Sequence, residues 1–406
     1  MKSGIKYPRI FFIACIGGFV TVFGFGVAQP FLPLYAMSLG ASETIVGWVV
    51  SFYFASRLFI ELPSGVISDR IGRRGPLLAG MFLSFLGALL CSLASEPVSL
   101  ILGRGVWGAG TALFFSSSTA FVFDLFEAKV RSQAMGMFQS IEFIGSFIGA
   151  PLGGAIASYV GMRTPFMMVA ILAIVGFILL VLSREFREKT SNSREKAAPG
   201  GELSLRNILD LFKIWGLGVV NLGSFGRNFV MQGVVSTVFP LYVKNLGMDV
   251  SLTGIIMGIR SAGMITGTYV TSKLIKGLGV PKTLFASFCL EALTTLLYAV
   301  GGSFEWFLLV GYWHGFASGV ELNSMMTSIS IVVPTSLRGT GVGIYRTFMD
   351  LGSIIGPIGL TALLAAVGYP NIKICFYVSA IMATAVAITM LTLHGVEMEE
   401  NSEHKR

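Results

Sequence analysis

The sequence predicts an all-α membrane protein with twelve transmembrane helices in two pseudo-symmetric six-helix bundles. Three observations predict it. The 406-residue chain is 54% hydrophobic and only 12% charged, where a soluble domain carries about 25% charged residues. Runs free of Asp, Glu, Lys and Arg occupy 10–42, 75–95, 105–123, 143–162, 164–183, 351–372 and 374–396. Each is near or above the roughly 17–25 residues that cross a bilayer as a helix. Third, Pro33-Leu34-Tyr35 returns 207 positions later as Pro240-Leu241-Tyr242.

That offset also superposes Gly40 on Gly247, Gly47 on Gly254, Gly72 on Gly279, Gly108 on Gly315, Arg131 on Arg338, Gly136 on Gly343, Gly145 on Gly352, Gly149 on Gly356 and Gly161 on Gly368. A register kept from Pro33 to Gly161 without a net gap means two tandem copies of one unit. In so apolar a chain, duplicated halves point to a secondary transporter with its site where the halves meet.

In order along the chain, the first span (8–37) is charge-free from residue 10 onward and closes on Gln29-Pro30-Phe31-Leu32-Pro33. The second (44–67) carries Arg57 and Glu61, the third (75–95) no charge, and the fourth (97–123) Arg104. The fifth (131–159) is glycine-rich and carries Glu142; the sixth (164–183) is wholly apolar. In the second copy, 208–243 carries Arg227, Asn228 and Gln232, 250–274 Arg260, 281–302 Glu291, and 305–333 His314 and Glu321. Span 338–367 carries Arg346 and Asp350, and 371–394 closes the series. The organisation expected is an N-terminal bundle (1–183), a cytoplasmic linker (184–207), a C-terminal bundle (208–396) and a cytoplasmic tail (397–406). The linker is charge-rich and contains serines, and need not have a fixed fold.

With the N-terminus cytoplasmic, 21 of the 29 Lys and Arg fall on the cytoplasmic face, and only Arg163, Lys244 and Lys373 fall outside. Such a bias is the positive-inside rule. It places both termini in the cytoplasm and explains the net charge of +8 without nucleic-acid binding, since the basic residues are scattered over short loops. The first apolar run continues to about Met37 without a small-residue cleavage pattern, so it is an uncleaved helix. The four cysteines (15, 91, 289, 375) each fall in a different span and read as free buried thiols.

Between spans 2 and 3 stands Gly65-Val66-Ile67-Ser68-Asp69-Arg70-Ile71-Gly72-Arg73-Arg74. It resembles the loop signature G-x-x-x-D-R-x-G-R-[KR] of the major facilitator superfamily. In that family the loop is thought to latch the cytoplasmic ends of the bundles, with Arg131 at the same edge. The second copy departs from the pattern, with Lys276 opposite Asp69 and Val280 opposite Arg73, so one latch is expected. Gly103-Arg104-Gly105-Val106-Trp107-Gly108-Ala109-Gly110 resembles the family's R-x-x-x-G-x-G element. Gly136, Gly145, Gly149, Pro151, Gly153 and Gly154 are similar to the glycine–proline motif of its drug/proton antiporter branch, with the proline one place late. Gly145, Gly149 and Gly153 are four apart and form a smooth face for helix packing. The first span lacks the acidic residue that some branch members carry. The resemblance implies the superfamily fold over nearly the whole chain.

Ten ionisable residues lie inside spans: Arg57, Glu61, Arg104, Glu142, Arg227, Arg260, Glu291, Glu321, Arg346 and Asp350. Facing lipid, they would cost roughly 25–35 kcal/mol on an insertion scale, so most must face inward and pair. Arg57–Glu61 and Arg346–Asp350 are four apart and can meet on one helix face. The family's helix arrangement instead implies cross-bundle pairs Arg57–Asp350 and Arg260–Glu142, whose members sit at matching depth from the cytoplasmic edge. A carboxylate left without its arginine in low dielectric favours proton uptake, which would couple protons to rocking of the bundles.

Glu142, Glu321, Asp350 and Arg104 are therefore the proton-coupling candidates; the resemblance implies a relay role for Arg104. Arg57, Arg260, Arg227, Arg346, Asn228 and Gln232 are cavity or ion-pair candidates. Glu291 reads as structural, because span 9 is peripheral in the family, and His314 reads as a titratable or a packing histidine.

No phosphate-binding G-x-x-x-x-G-K-[ST] loop occurs, so the expected driving force is an ion gradient, of protons, with no cofactor and no metal. The partners expected are the bilayer and a small-molecule substrate, with a monomer in the cell membrane. The function expected is proton-coupled efflux of small amphipathic compounds. Its rivals are a proton symporter importing a small organic anion or sugar, and a transporter-fold membrane sensor. A membrane-embedded hydrolase is disfavoured, since no nucleophile–His–acid set stands out.

Overall fold

Glycine and proline punctuate the chain where the computed structural model breaks its helices. The structure describes residues 7–191, 210–334 and 337–393. The tail, most of the linker and the side chains of Gly65, Asp69 and Arg70 lie outside the described residues. The helices are α1 (Arg9–Ala28), α2 (Leu32–Ser38), α3 (Glu43–Ile71), α4 (Arg74–Leu93), α5 (Pro97–Leu125), α6 (Ala128–Tyr159), α7 (Thr164–Leu182) and α8 (Arg184–Ser191). They continue with α9 (Trp215–Asn228), a π-helical stretch (Phe229–Val238), α10 (Phe239–Asn245), α11 (Val250–Leu278), α12 (Val280–Val300), α13 (Phe304–Val332), α14 (Arg338–Val367) and α15 (Lys373–Met390).

Ten helical spans among the described residues are long and apolar enough to cross a membrane, two fewer than the twelve expected. Both of the others are helical. The stretch around 215–245 is divided into α9, the π segment and α10, so no regular helix in it is long enough. The other, α13, runs for 29 residues but carries Glu305, His314, Glu321 and Asn323 among its apolar residues. The first expected span is likewise interrupted at 29–31. Pro30 has no N–H to continue the hydrogen-bond ladder, and Pro33 starts the next helix where a missing N–H costs nothing. The linker is helical at its start, where Phe186 is buried edge-on against Phe121, 5.5 Å between centroids.

Contacts divide the chain into two units, one of Met1–Ala41 and Phe52–Gly200 and the other of Ser42–Ser51 and Gly201–Arg406. In the first, α1 packs on α6 and α4 on α5 and α7; in the second, α9 and the π segment pack on α14, and α12 on α13 and α15. Each has its own core. Phe11, Phe114, Phe121 and Phe138 centre the first, and Phe288, Met325, Tyr345 and Met390 the second.

The internal duplication is visible at atomic detail. The six positive-φ glycines among the described residues form three pairs at the repeat offset: Gly40 and Gly247, Gly72 and Gly279, Gly161 and Gly368. These conformations all but require glycine. The repeated tyrosine makes the same anchor twice. The Tyr35 hydroxyl donates to the carbonyl of Ala94 at 3.3 Å, and that of Tyr242 to the equivalent Gly301 at 3.1 Å.

Candidate functional site

Helices α11 and α13 approach until their backbones touch. Gly263 and Gly267 lie against the carbonyls of Tyr312 and Phe316, and Gly315 and Gly319 against those of Arg260 and Met264. A methyl group at any of the four would meet a main-chain oxygen, so small residues set this spacing. The close approach brings Arg260 onto His314 and Ser318. Its Nε donates to His314 Nδ1 at 3.4 Å and its Nη2 to Ser318 Oγ at 3.5 Å. Because Nδ1 accepts, the histidine proton sits on Nε2.

From the last turn of α9, Arg227 reaches the same serine. Its Nη2 donates to Ser318 Oγ at 2.9 Å and its Nε to the Ser318 carbonyl at 3.3 Å. Arg227 Nε also stands 3.7 Å from Glu321 Oε2, ion-pair distance but too long for a hydrogen bond. Arg227, Arg260, His314, Glu321 and Glu291 are all buried, and Glu291 lies within electrostatic reach of Glu321, Arg227 and Arg260. Two guanidiniums, two carboxyls and a neutral imidazole thus gather in one apolar interior. Beyond Arg227 the helix widens, with Ser236 and Thr237 donating to carbonyls five residues back. The Asn228 amide donates to the Ser224 carbonyl, and Gln232 is buried.

The first unit decorates the same scaffold differently. Tyr53 holds the position equivalent to Arg260, Trp107 that of His314, and Thr111 that of Ser318. Tyr53 donates to Thr111 at 2.9 Å and meets Trp107 edge-on. Arg104 lies over both rings, 4.5 Å from the Tyr53 centroid and 5.3 Å from that of Trp107. It is 1% exposed. Among the described residues its Nε and Nη1 have no hydrogen-bond partner, and no carboxylate lies within ion-pair distance.

The remaining sequence candidates are dispersed. Arg57 stands 3.8 Å from Glu61 on its own helix. Glu142, on α6, lies where a methyl on Gly18 of α1 would come within 2.9 Å of its Oε1. Arg346 and Asp350 lie on α14, with Asp350 buried. In the loop after α3, Gly72 has φ +90°. Arg73 bonds Asp124 at 3.0 Å and Ser68 at 3.2 Å, Arg74 begins α4, and Arg131 donates to the Phe126 carbonyl. On α6, which contains Pro151, Gly145, Gly149 and Gly153 sit on the carbonyls of Phe19, Phe23 and Val27 of α1. Gly136 faces open space.

Ser318 was not singled out by sequence reasoning, since a serine in an apolar helix carries no signal of its own. Glu291 reads as structural from the sequence because its helix is peripheral in the family the chain resembles. The repeat offset offered a signal for both: it sets Ser318 on Thr111, and it sets Glu291 on Ser84, where the first copy needs no charge.

A family model described as Major Facilitator Superfamily matches residues 14–277 and again 222–406. The chain belongs to the major facilitator superfamily. It is therefore an integral membrane protein that moves a small molecule by secondary active, alternating-access transport, and it is not an enzyme. It is 25% identical to Multidrug resistance protein 2 of Bacillus subtilis, over 88% of this chain and 89% of that one. It is 27% identical to the Probable L-galactonate transporter of Escherichia coli, over 67% of this chain and 64% of that protein. The crystal structure of the nucleoside transporter NupG superposes with a TM-score of 0.81 at 13% identity, covering 95% of this chain and 99% of that one; the likeness is one of fold.

Proposed function

We propose that this member of the superfamily is a proton-coupled symporter of a small organic anion. The observation that carries the reading is Arg104. A desolvated cation–π contact contributes about 2 kcal/mol, while burying a guanidinium costs several kcal/mol after relaxation. Two aromatic rings therefore leave Arg104 short of compensation. A substrate carboxylate would supply it, with Trp107 and Tyr53 walling the apolar part of the molecule. Glu321 of the second unit, beside Arg227, is the proton site of this reading. The galactonate named for the Escherichia coli relative is a sugar acid and carries such a carboxylate.

The same reading takes twelve crossings in two six-helix bundles (1–183 and 208–396), a cytoplasmic linker and tail, and a monomer. Cross-bundle contacts Arg57–Asp350 and Arg260–Glu142 would form in one state of the cycle, and Asp69, Arg70, Arg73 and Arg131 would latch the cytoplasmic ends.

Purified carrier in vesicles holding a pH-sensitive dye tests it. Adding L-galactonate or another small carboxylate outside should acidify the lumen, and Arg104→Gln should abolish the response. A second reading, proton-driven efflux of amphipathic compounds, is favoured by the glycine ladder of α6 on α1 and by the multidrug relatives. Proton movement with lipophilic cations and none with carboxylates would establish that reading and discard the first.

A further inference from the structure

Glu291 of α12 is wholly buried, and among the described residues neither of its carboxyl oxygens has a hydrogen-bond partner. Its backbone carbonyl, by contrast, accepts from Thr294 at 3.0 Å and from Thr295 at 2.8 Å. Packing does not call for a carboxyl here. The equivalent residue of the first copy is Ser84, whose hydroxyl donates to the Gly80 carbonyl at 2.8 Å and needs nothing else. A carboxylate buried without a donor costs several kcal/mol, and the neutral acid far less.

The surrounding charges are unevenly matched. Glu321 stands by Arg227, while among the described residues Arg260 is held by neutral acceptors, His314 Nδ1 and Ser318 Oγ. Among the described residues, Arg260 of α11 and Glu291 of α12 each lack a partner of opposite charge at contact distance. The titratable groups facing this region are Arg227 from α9, Arg260 from α11, Tyr298 from α12, His314 and Glu321 from α13, and Tyr345 with Arg346 beside it from α14. Helix α15, packed along α12, carries only Lys373, Cys375 and Tyr377, all in its first turns.

We propose that Glu291 is a proton-binding residue of this carrier, holding the proton behind the Arg227–Glu321 pair. When Arg260 leaves Ser318 and His314 for the Glu291 carboxyl, the O–H bond of Glu291 breaks and one forms on Glu321, freed from Arg227. One carboxyl loses a proton and the other gains it, so the two titrate as a pair. The proposal rests on the coupling reading above and deepens it, by naming a second proton site within the second unit, on α12.

The test uses full-length carrier in vesicles with radiolabelled L-galactonate. One pH unit is worth about tenfold accumulation for each coupled proton. Wild type should reach about that ratio, whereas Glu291→Gln should merely equilibrate the label while still exchanging internal for external galactonate. Tenfold accumulation by Glu291→Gln overturns the proposal alone. Wild-type vesicles that move no protons with any carboxylate overturn the coupling reading and the proposal together. A second measurement needs no functional variant. Infrared difference spectra of wild type at neutral pH should show a protonated-carboxyl band that shifts in heavy water, and its absence overturns the proposal.

Discussion

Ser318 accepts from two guanidiniums, and distance separates their worth. The Arg227 contact, at 2.9 Å, is a full charge-assisted hydrogen bond, while that of Arg260, at 3.5 Å, sits at the limit. Hydrogen bonds to charged groups contribute about 1.5–3 kcal/mol and neutral ones about 0.5–1.5. Thr111, at the equivalent place in the first unit, accepts only from the neutral Tyr53 hydroxyl. Ser318→Ala is therefore expected to destabilise by about 2 kcal/mol and Thr111→Ala by about 1. Detergent-solubilised unfolding midpoints will show whether the order holds; equal losses would mean that the serine is no anchor for Arg227. That this residue matters was hidden in the sequence because its partners lie 91 and 58 positions away. Local spacing reaches only three or four residues along a helix.

Among elements, the contact between α1 and α6 shows what spacing does and does not say. Three glycines four apart mark a smooth helix face, and the structure seats them on consecutive turns of α1, at Phe19, Phe23 and Val27. The spacing was legible because it is local; the partner helix was not. Gly136 belongs to the same sequence motif, yet a methyl there would meet nothing. At Gly149 a methyl would stand 2.6 Å from the Phe23 carbonyl oxygen, closer than van der Waals contact and against main chain that cannot turn aside. Gly149→Ala should therefore cost about 1–3 kcal/mol by overpacking and lower the yield of folded carrier. Gly136→Ala should be neutral or slightly stabilising, since alanine favours helix by up to about 1 kcal/mol. Fluorescence-detected size exclusion after graded heating would compare them, and equal behaviour would sever motif from packing. The π segment lay beyond the sequence, for Phe229–Val238 is about as apolar as the regular helices α4 and α13.

The whole molecule is one scaffold built twice and furnished differently. The paired glycines at positive φ and the twin tyrosine anchors were legible because a repeat exposes itself through register. The chemistry was only partly legible, because it is where the copies depart from each other: Tyr53 against Arg260, Trp107 against His314, Phe114 against Glu321. The departure extends to the backbone, since α9, the π segment and α10 replace the α1–turn–α2 arrangement. This is also where the span count is decided. If 215–245 crosses the bilayer as its repeat partner does, Gly247 emerges outside and Gly279 returns to the cytoplasm. The basic residues agree, with Lys273, Lys276 and Lys282 around Gly279 and only Lys244 near Gly247. Truncations fused to alkaline phosphatase, active only outside, should therefore be bright after Gly247 and dark after Gly279. A π segment that stays within the interface without crossing would reverse both signals and every one downstream, leaving the second copy upside down relative to the first.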